Sequence, residues 1–363
     1  MNLPLLVRRF LLPAAVFQGV IVGGGYGTGR EVVEFVSRHG GWGGVIACGV
    51  IALSFSAVLA VSFGLAARFR VHDYRHFLQL FLGRGWVLFE CLFAVLLVIV
   101  IAVVGAAAGR SLTDSWGLPY AEGVGLVLLL IALGSFSGRQ FVEKILGLWT
   151  AVLMLSLLTL VYHLLPGSLD GRLASVFTDA PQVSGAALSG FQFALYNSAV
   201  IPVLIYCAAD AEHVGQAATA GLIAGIGGAL PALLLHLCFM VHYPGITEQA
   251  IPTGWVLQHA APAWALSWFH VVLFGTVVLT AVGILQGLSE RLDGWREDQG
   301  RLPYSRRTHA LVAAMLVAVS LLLAQFGIIA LVAQGYGALS WGFLIVFTVP
   351  LLTRGTWLLL QKE

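Results

Sequence analysis

The chain has 363 residues, 59% of them hydrophobic and 10% charged, and a net charge of +2. A mean hydropathy of +0.92 leaves too few polar groups for a wetted surface, which excludes an ordinary soluble globular protein and points to lipid as the solvent. The basic residues are almost all arginine, only Lys144 and Lys362 being lysine, and no basic block resembles a nucleic-acid patch, so neither DNA nor RNA is expected as a partner.

The N-terminal run opens with Arg8 and Arg9 and continues apolar for more than about twenty residues without a small-residue cleavage site, which reads as a first membrane span rather than a removed leader. A window of about 20 apolar residues is needed to cross the hydrocarbon core. That ruler gives ten expected spans, at approximately 10–37, 42–68, 85–109, 121–138, 141–165, 187–209, 213–242, 261–290, 309–328 and 329–352. The ninth and tenth are separated only by Gly327, in an apolar run too long for one crossing. Between the second and third, His72 to Leu82 places Tyr74, Phe77, Leu78 and Phe81 at helical spacing, as expected of a short helix in the membrane interface. Between the seventh and eighth, Gly245 to Pro262 is long enough to hold another helix and to act as a lid.

With both termini on the cytoplasmic side, fifteen of the nineteen Lys and Arg residues fall on that side, as the positive-inside rule requires, and an even span count follows. An integral inner-membrane location is expected. Cys48, Cys91, Cys207 and Cys238 have no CxxC or Cys/His spacing and read as buried small hydrophobes.

The first span is interrupted by Gly23-Gly24-Gly25-Tyr26-Gly27-Thr28-Gly29. Each glycine costs about 1 kcal/mol in a helix relative to alanine, and backbone groups unpaired at that depth cost several more unless protein or water surrounds them. Close helix packing through small residues is the alternative; Arg30 and Glu31, which need a polar interior to face, favour unwinding. No register of these glycines fits a dinucleotide fingerprint. The sixth span carries Tyr196, Asn197 and Ser198 ahead of Pro202, which removes a helix hydrogen bond. The first and sixth spans are equivalent positions in a five-plus-five chain, and an odd-numbered repeat reverses orientation. One transmembrane domain over 1–363 is therefore expected, built from inverted repeats at 10–165 and 187–352, with a midplane site between helices 1 and 6 unwound at mid-membrane.

The stretch from Val22 to Phe35, VGGGYGTGREVVEF, resembles the first-span motif of the YkvI-type amino-acid permeases, where a Gly-rich turn leads into Gly-Gln-Glu and then Phe; Arg30 stands in place of the usual Gln. The Tyr196-Asn197 pair is similar to that family's sixth-span Tyr-Asn. The resemblance implies the amino acid-polyamine-organocation superfamily and an all-α LeuT-type fold. It also implies a sodium site of first-span carbonyls and two adjacent eighth-span hydroxyls, where the family tends to have Thr-Thr and this chain has Leu279-Thr280. Thr276, one turn earlier, is the remaining hydroxyl, with the carbonyls of Gly23 and Tyr26. Protons are the alternative coupling ion, with Glu31, Glu90 or a membrane histidine as carrier.

Freed amides and a positive helix end suit a carboxylate, and freed carbonyls suit an ammonium. The amides of Gly24 to Gly29 are therefore expected to take a substrate carboxylate, the Tyr196 to Ser198 region its ammonium and side chain, with Tyr26 as an aromatic gate. Arg30 pairs with Glu31 or Glu34, spans a gate, or binds an acidic substrate. Glu31 is a gate or coupling group. His236 and His270 read as hydrogen-bonded packing residues, Glu90 as a snorkelling acid, and Asp210 and Glu212 as solvated caps closing the sixth span. No nucleophile, metal site or paired acid set suggests an enzyme, and no cofactor beyond a sodium ion is implied. A secondary active transporter of a small amino acid or related amine is expected; a non-transporting sensor or a channel on the same scaffold is the alternative.

Overall fold

In the computed structural model, residues 5–134, 183–297 and 299–361 are described, with scattered positions between 145 and 178. Every regular element among them is a helix. Seven are long and apolar enough to cross a membrane: Arg30–Phe69, Tyr74–Asp114, Gly185–Ala208, Val214–Met240, Trp264–Glu297, Arg307–Ala324 and Gly327–Leu360; Tyr120–Leu133 is a shorter apolar helix. Of the expected fifth span, 141–165, only ten scattered positions are among the described residues.

The first span is in pieces. Helix α1 (Leu12–Ile21) ends at Val22, a single turn α2 (Gly24–Gly27) follows, and α3 (Arg30–Phe35) restarts after Gly29. Gly29 has a φ of +78° and its missing side chain is filled by Phe239 and Thr253, so only glycine fits there. The chain then turns into α4 (Gly40–Phe69), the interfacial α5 (Tyr74–Leu82), α6 (Trp86–Trp116) and α7 (Tyr120–Gly134). Asp73 caps α5 by accepting from the His76 amide at 2.9 Å. The apolar face of α5 is turned into the protein rather than towards lipid: Phe77, Leu78 and Phe81 are buried, and Phe81 meets Phe347 edge-on at 5.9 Å.

The sixth span is helix α8 (Val183–Asn197) followed by a 3-10 helix, Ser198–Ala208. The interruption expected here takes the form of a tightened helix rather than a coil. At the switch, Asn197 Nδ2 and Ser198 Oγ donate to the carbonyls of Phe193 and Ala194 at 3.0 and 2.6 Å, and Pro202 has no N–H for an α-helical bond. Helix α9 (Val214–Met240) leads to a turn and the short α10 (Pro252–Ala260), the helix anticipated in the long connecting segment. Helices α11 (Ala263–Glu297) and α12 (Arg306–Ala324) follow. The last span starts at Gly327, whose φ of +79° makes the tight turn after α12, and it contains π turns at Leu331–Tyr336, Leu344–Thr348 and Leu351–Gly355.

With no water to exclude between apolar helices in lipid, packing depends on close contact. Helices α4 and α9 meet backbone to backbone: a side chain at Gly225 would come within 2.2 Å of the Ser56 nitrogen, and one at Gly221 within 2.6 Å of Ala60 nitrogen. Gly190 of α8 approaches the Ala47 carbonyl in the same way. Close packing through small residues therefore belongs to these helices as well as to the scaffold around the first-span glycines. Gly225→Ala is expected to destabilise by about 1–3 kcal/mol through overpacking, whereas Gly49→Ala on α4, with open space around it, is expected to be neutral or to stabilise by up to about 1 kcal/mol. Thermal unfolding of the two variants in the same detergent checks the contrast.

Candidate functional site

The broken first span is held by bonds to three other elements. Within it, the Gly27 amide donates to Gly23 O and the Gly29 amide to Tyr26 O, both at 2.9 Å, and the Arg30 amide donates to Thr28 Oγ1 at 3.1 Å. Three of the donors around the proposed carboxylate position are thus spent on the chain's own turn. Thr28 O accepts the Thr253 amide at 3.0 Å, which ties the break to the start of α10.

Arg30 and Glu31 are both buried, but they face opposite ways. The Arg30 guanidinium donates to Glu34 Oε2 at 2.5 Å and to the carbonyls of Thr247 and Gln249 at 2.8 and 3.1 Å. Glu34 Oε1 accepts from Arg38 as well. Of the partners considered for Arg30, the structure provides Glu34, and it adds two lid carbonyls. A planar fork with several donors suits this role in a way that an ammonium does not. Glu31 faces the bundle interior, where its Oε2 accepts from the Tyr196 hydroxyl at 2.6 Å, joining α3 to α8 across 165 residues of sequence.

Around this bond the aromatic rings form a continuous set. Tyr196 stacks on Tyr336 at 4.5 Å with the planes 17° apart, Phe35 and Phe193 lie 5.6 and 5.5 Å from Tyr196, and Tyr26 meets Phe193 at 6.0 Å. The Tyr26 hydroxyl is buried without a hydrogen-bond partner. Tyr336 and Phe193 were not singled out from the sequence. A signal for the former existed: Gly335-Tyr336-Gly337 in the last span repeats the Gly25-Tyr26-Gly27 pattern of the first.

Asn197 and Ser198, expected beside Tyr196 in the site, direct their polar atoms to carbonyls of their own helix. Of the sodium set, Thr280 stands against the backbone of Gly23, its Oγ1 3.7 Å from where a Cβ would be. Thr276 Oγ1 is engaged, donating to Val272 O at 2.7 Å and accepting from Trp149 Nε1 at 3.1 Å. Among the described residues there is no group of three His, Cys, Asp or Glu side chains that could hold a metal.

Several other ionisable residues singled out from the sequence have identifiable surroundings. Glu90 lies 3.7 Å from Arg291, which also covers the rings of Tyr74 and Phe93. His236 bonds Ser37 Oγ and the Gly41 carbonyl at 3.0 Å each, clamping the end of α3 and the start of α4 to α9. His270 lines a cavity of about 690 Å³ between the ends of α6, α10 and α11, together with Arg110, Asp114 and Trp255. Asp210 and Glu212 are ion-paired rather than merely solvated: Arg8 holds Asp210 with bonds of 2.7 and 2.8 Å from one guanidinium nitrogen, and Arg9 holds Glu212.

An all-helical bundle with a first span broken at mid-length and a sixth span that changes helix type is a LeuT-type fold. The chain is similar to the manganese transporter of Eremococcus coleocola, with a TM-score of 0.55 and 14% identity over 96% of this chain and 78% of that one. It is also similar to a Na+-coupled sialic acid symporter, with a TM-score of 0.51 and 12% identity over 96% of this chain and 85% of that one. The chain matches no family model and no curated protein.

Removing one member of a buried ion pair costs roughly 3–5 kcal/mol, because the other charge is left uncompensated. Glu34→Gln is therefore expected to lower the thermal midpoint far more than Arg38→Gln, whose side chain is 53% exposed. Equal shifts in the two unfolding curves would show that the Arg30–Glu34 contact does not secure the lid.

Proposed function

We propose that the chain is a secondary active transporter of a small amino acid or related amine, working by alternating access and coupled to sodium or to protons. The observation that carries this reading is the buried Glu31–Tyr196 hydrogen bond, which brings the broken first span and the altered sixth span to one place inside the bundle. Irregular backbone at membrane depth is tolerated where it is buried in protein or lines a cavity, and in this fold that is where substrates sit. The fold shared with a manganese transporter and a sialic acid symporter supports the transport class.

Both ends of this pathway are fastened by polar bonds between elements that would have to separate. At one end Arg30 and Thr28 hold the lid segment. At the other, Arg8 and Arg9 tie the N-terminus to the end of the sixth span. Alternating access then means releasing one set while the other stays closed. In this reading the protein is integral to the inner membrane, the Arg8 end and both termini are cytoplasmic, and the inverted repeats are 10–165 and 187–352. Sodium would sit between the Gly23 and Tyr26 carbonyls and Thr280, Thr276 contributing only on release from its present partners; proton coupling would use Glu31.

Reconstitution into liposomes tests the class. Saturable uptake of an amino acid or amine, driven by a sodium or proton gradient and showing counterflow exchange, is the expected result; binding without exchange would replace the carrier by a sensor. The inner fastening has its own test. Asp210→Asn is expected to speed labelling of the half-buried Cys207 by a membrane-impermeant maleimide in inside-out vesicles, with Cys91 replaced by Ser. An unchanged rate would show that Arg8–Asp210 does not hold that end closed.

A further inference from the structure

Glu31 is a carboxylate 5% exposed whose single hydrogen bond is to a neutral phenol. The neighbouring cation in sequence, Arg30, is turned to Glu34 and the lid, and Arg38 is bound to Glu34 too. Among the described residues no cationic side chain lies within ion-pair distance of Glu31. A carboxylate buried in this way either holds a proton or is met by a counter-charge from outside the chain, and a cationic ligand supplies the second.

What surrounds Glu31 indicates which kind. Tyr196, bonded to Glu31, stacks on Tyr336, Tyr26 meets Phe193 beside it, and Phe35 and Phe193 complete the ring set. Ring faces attract organic cations, and a carboxylate with phenol oxygens accepts the protons of an ammonium. A divalent metal asks instead for several oxygen ligands, where this place offers one carboxylate. A substrate carboxylate would meet Glu31's own charge, and the amides of Gly27, Gly29 and Arg30 that could have offset it are already spent. The Tyr26 hydroxyl, buried and unpartnered, is a ready acceptor.

We propose that Glu31 and the rings of Tyr26, Tyr196 and Tyr336 form a recognition site for the ammonium group of an organic cation, so that the substrate is an amine whose carboxylate, if it has one, is dispensable. This rests on the reading of the same place as the transport site, and it replaces backbone capture of a carboxylate by side-chain capture of a cation.

The test is thermal stabilisation of the full-length purified protein, titrated with propylamine, alaninamide, alanine, tetramethylammonium and propionate. Propylamine and alaninamide are expected to stabilise at least as well as alanine, and propionate not at all. Glu31→Gln is expected to raise the apparent Kd for the amines by at least about tenfold while eluting as the wild type in gel filtration. Tyr26→Phe, which keeps the ring, is expected to weaken propylamine by about threefold and to leave tetramethylammonium, which has no proton to donate, unchanged; this variant decides the matter should Glu31→Gln fail to fold. Stabilisation by propionate and alanine but not by the amines, or an unchanged amine Kd in Glu31→Gln, would overturn the cation inference and leave the transporter reading standing. No stabilisation of the wild type by any of the five compounds would overturn both.

Discussion

A backbone amide at the middle of a membrane has no water to turn to, so a helix broken there survives only where other parts of the protein supply its partners. In this chain the supply is specific. Thr28 O takes an amide from α10, the turn amides fold back on Gly23 and Tyr26, and Glu31 reaches Tyr196 on the sixth span. The lid, the aromatic interior and the relative placement of the two halves are all tied to that one interruption. An unbroken first helix would have no need of any of them.

The two charges after the glycines divide the work. Arg30 turns along its own short helix to Glu34 and to the carbonyls of Thr247 and Gln249, so that both terminal guanidinium nitrogens are bonded within the protein. Glu31, one residue on, looks inward to the Tyr196 hydroxyl and has no cationic partner among the described residues. Adjacent residues on a helix are separated by about 100° of rotation, which is enough to place one on the closing surface and the other in the interior. Arg30 is thereby joined to the Thr247–Gln249 segment and Glu31 to Tyr196.

Contacts as close as those at the break recur elsewhere in the bundle. Helices α4 and α9 touch through Gly221 and Gly225 with no room for a methyl group. The last span contains three π turns, and the first of them ends on Tyr336, the ring stacked on Tyr196. An extra residue in a turn shifts the direction of the side chain that follows, and here the Tyr336 ring is laid on Tyr196 from a helix far away in sequence.

Much of this architecture was legible in the amino-acid sequence, because apolar length and arginine placement are properties of composition along the chain. The span pattern, the Gly-rich interruption from Gly23 to Gly29, the turn at Gly327 and the helix inside the Gly245–Pro262 segment could all be read that way. The sequence also offered Glu34 as a partner for Arg30. It could not say that Arg30 grips Thr247 and Gln249, that Asn197 and Ser198 turn back on their own helix, that Arg8 and Arg9 reach Asp210 and Glu212, or that Tyr336 stands beside Tyr196. Those facts depend on the rotation of each helix about its axis and on contacts between residues more than a hundred positions apart, and only packing in three dimensions decides them.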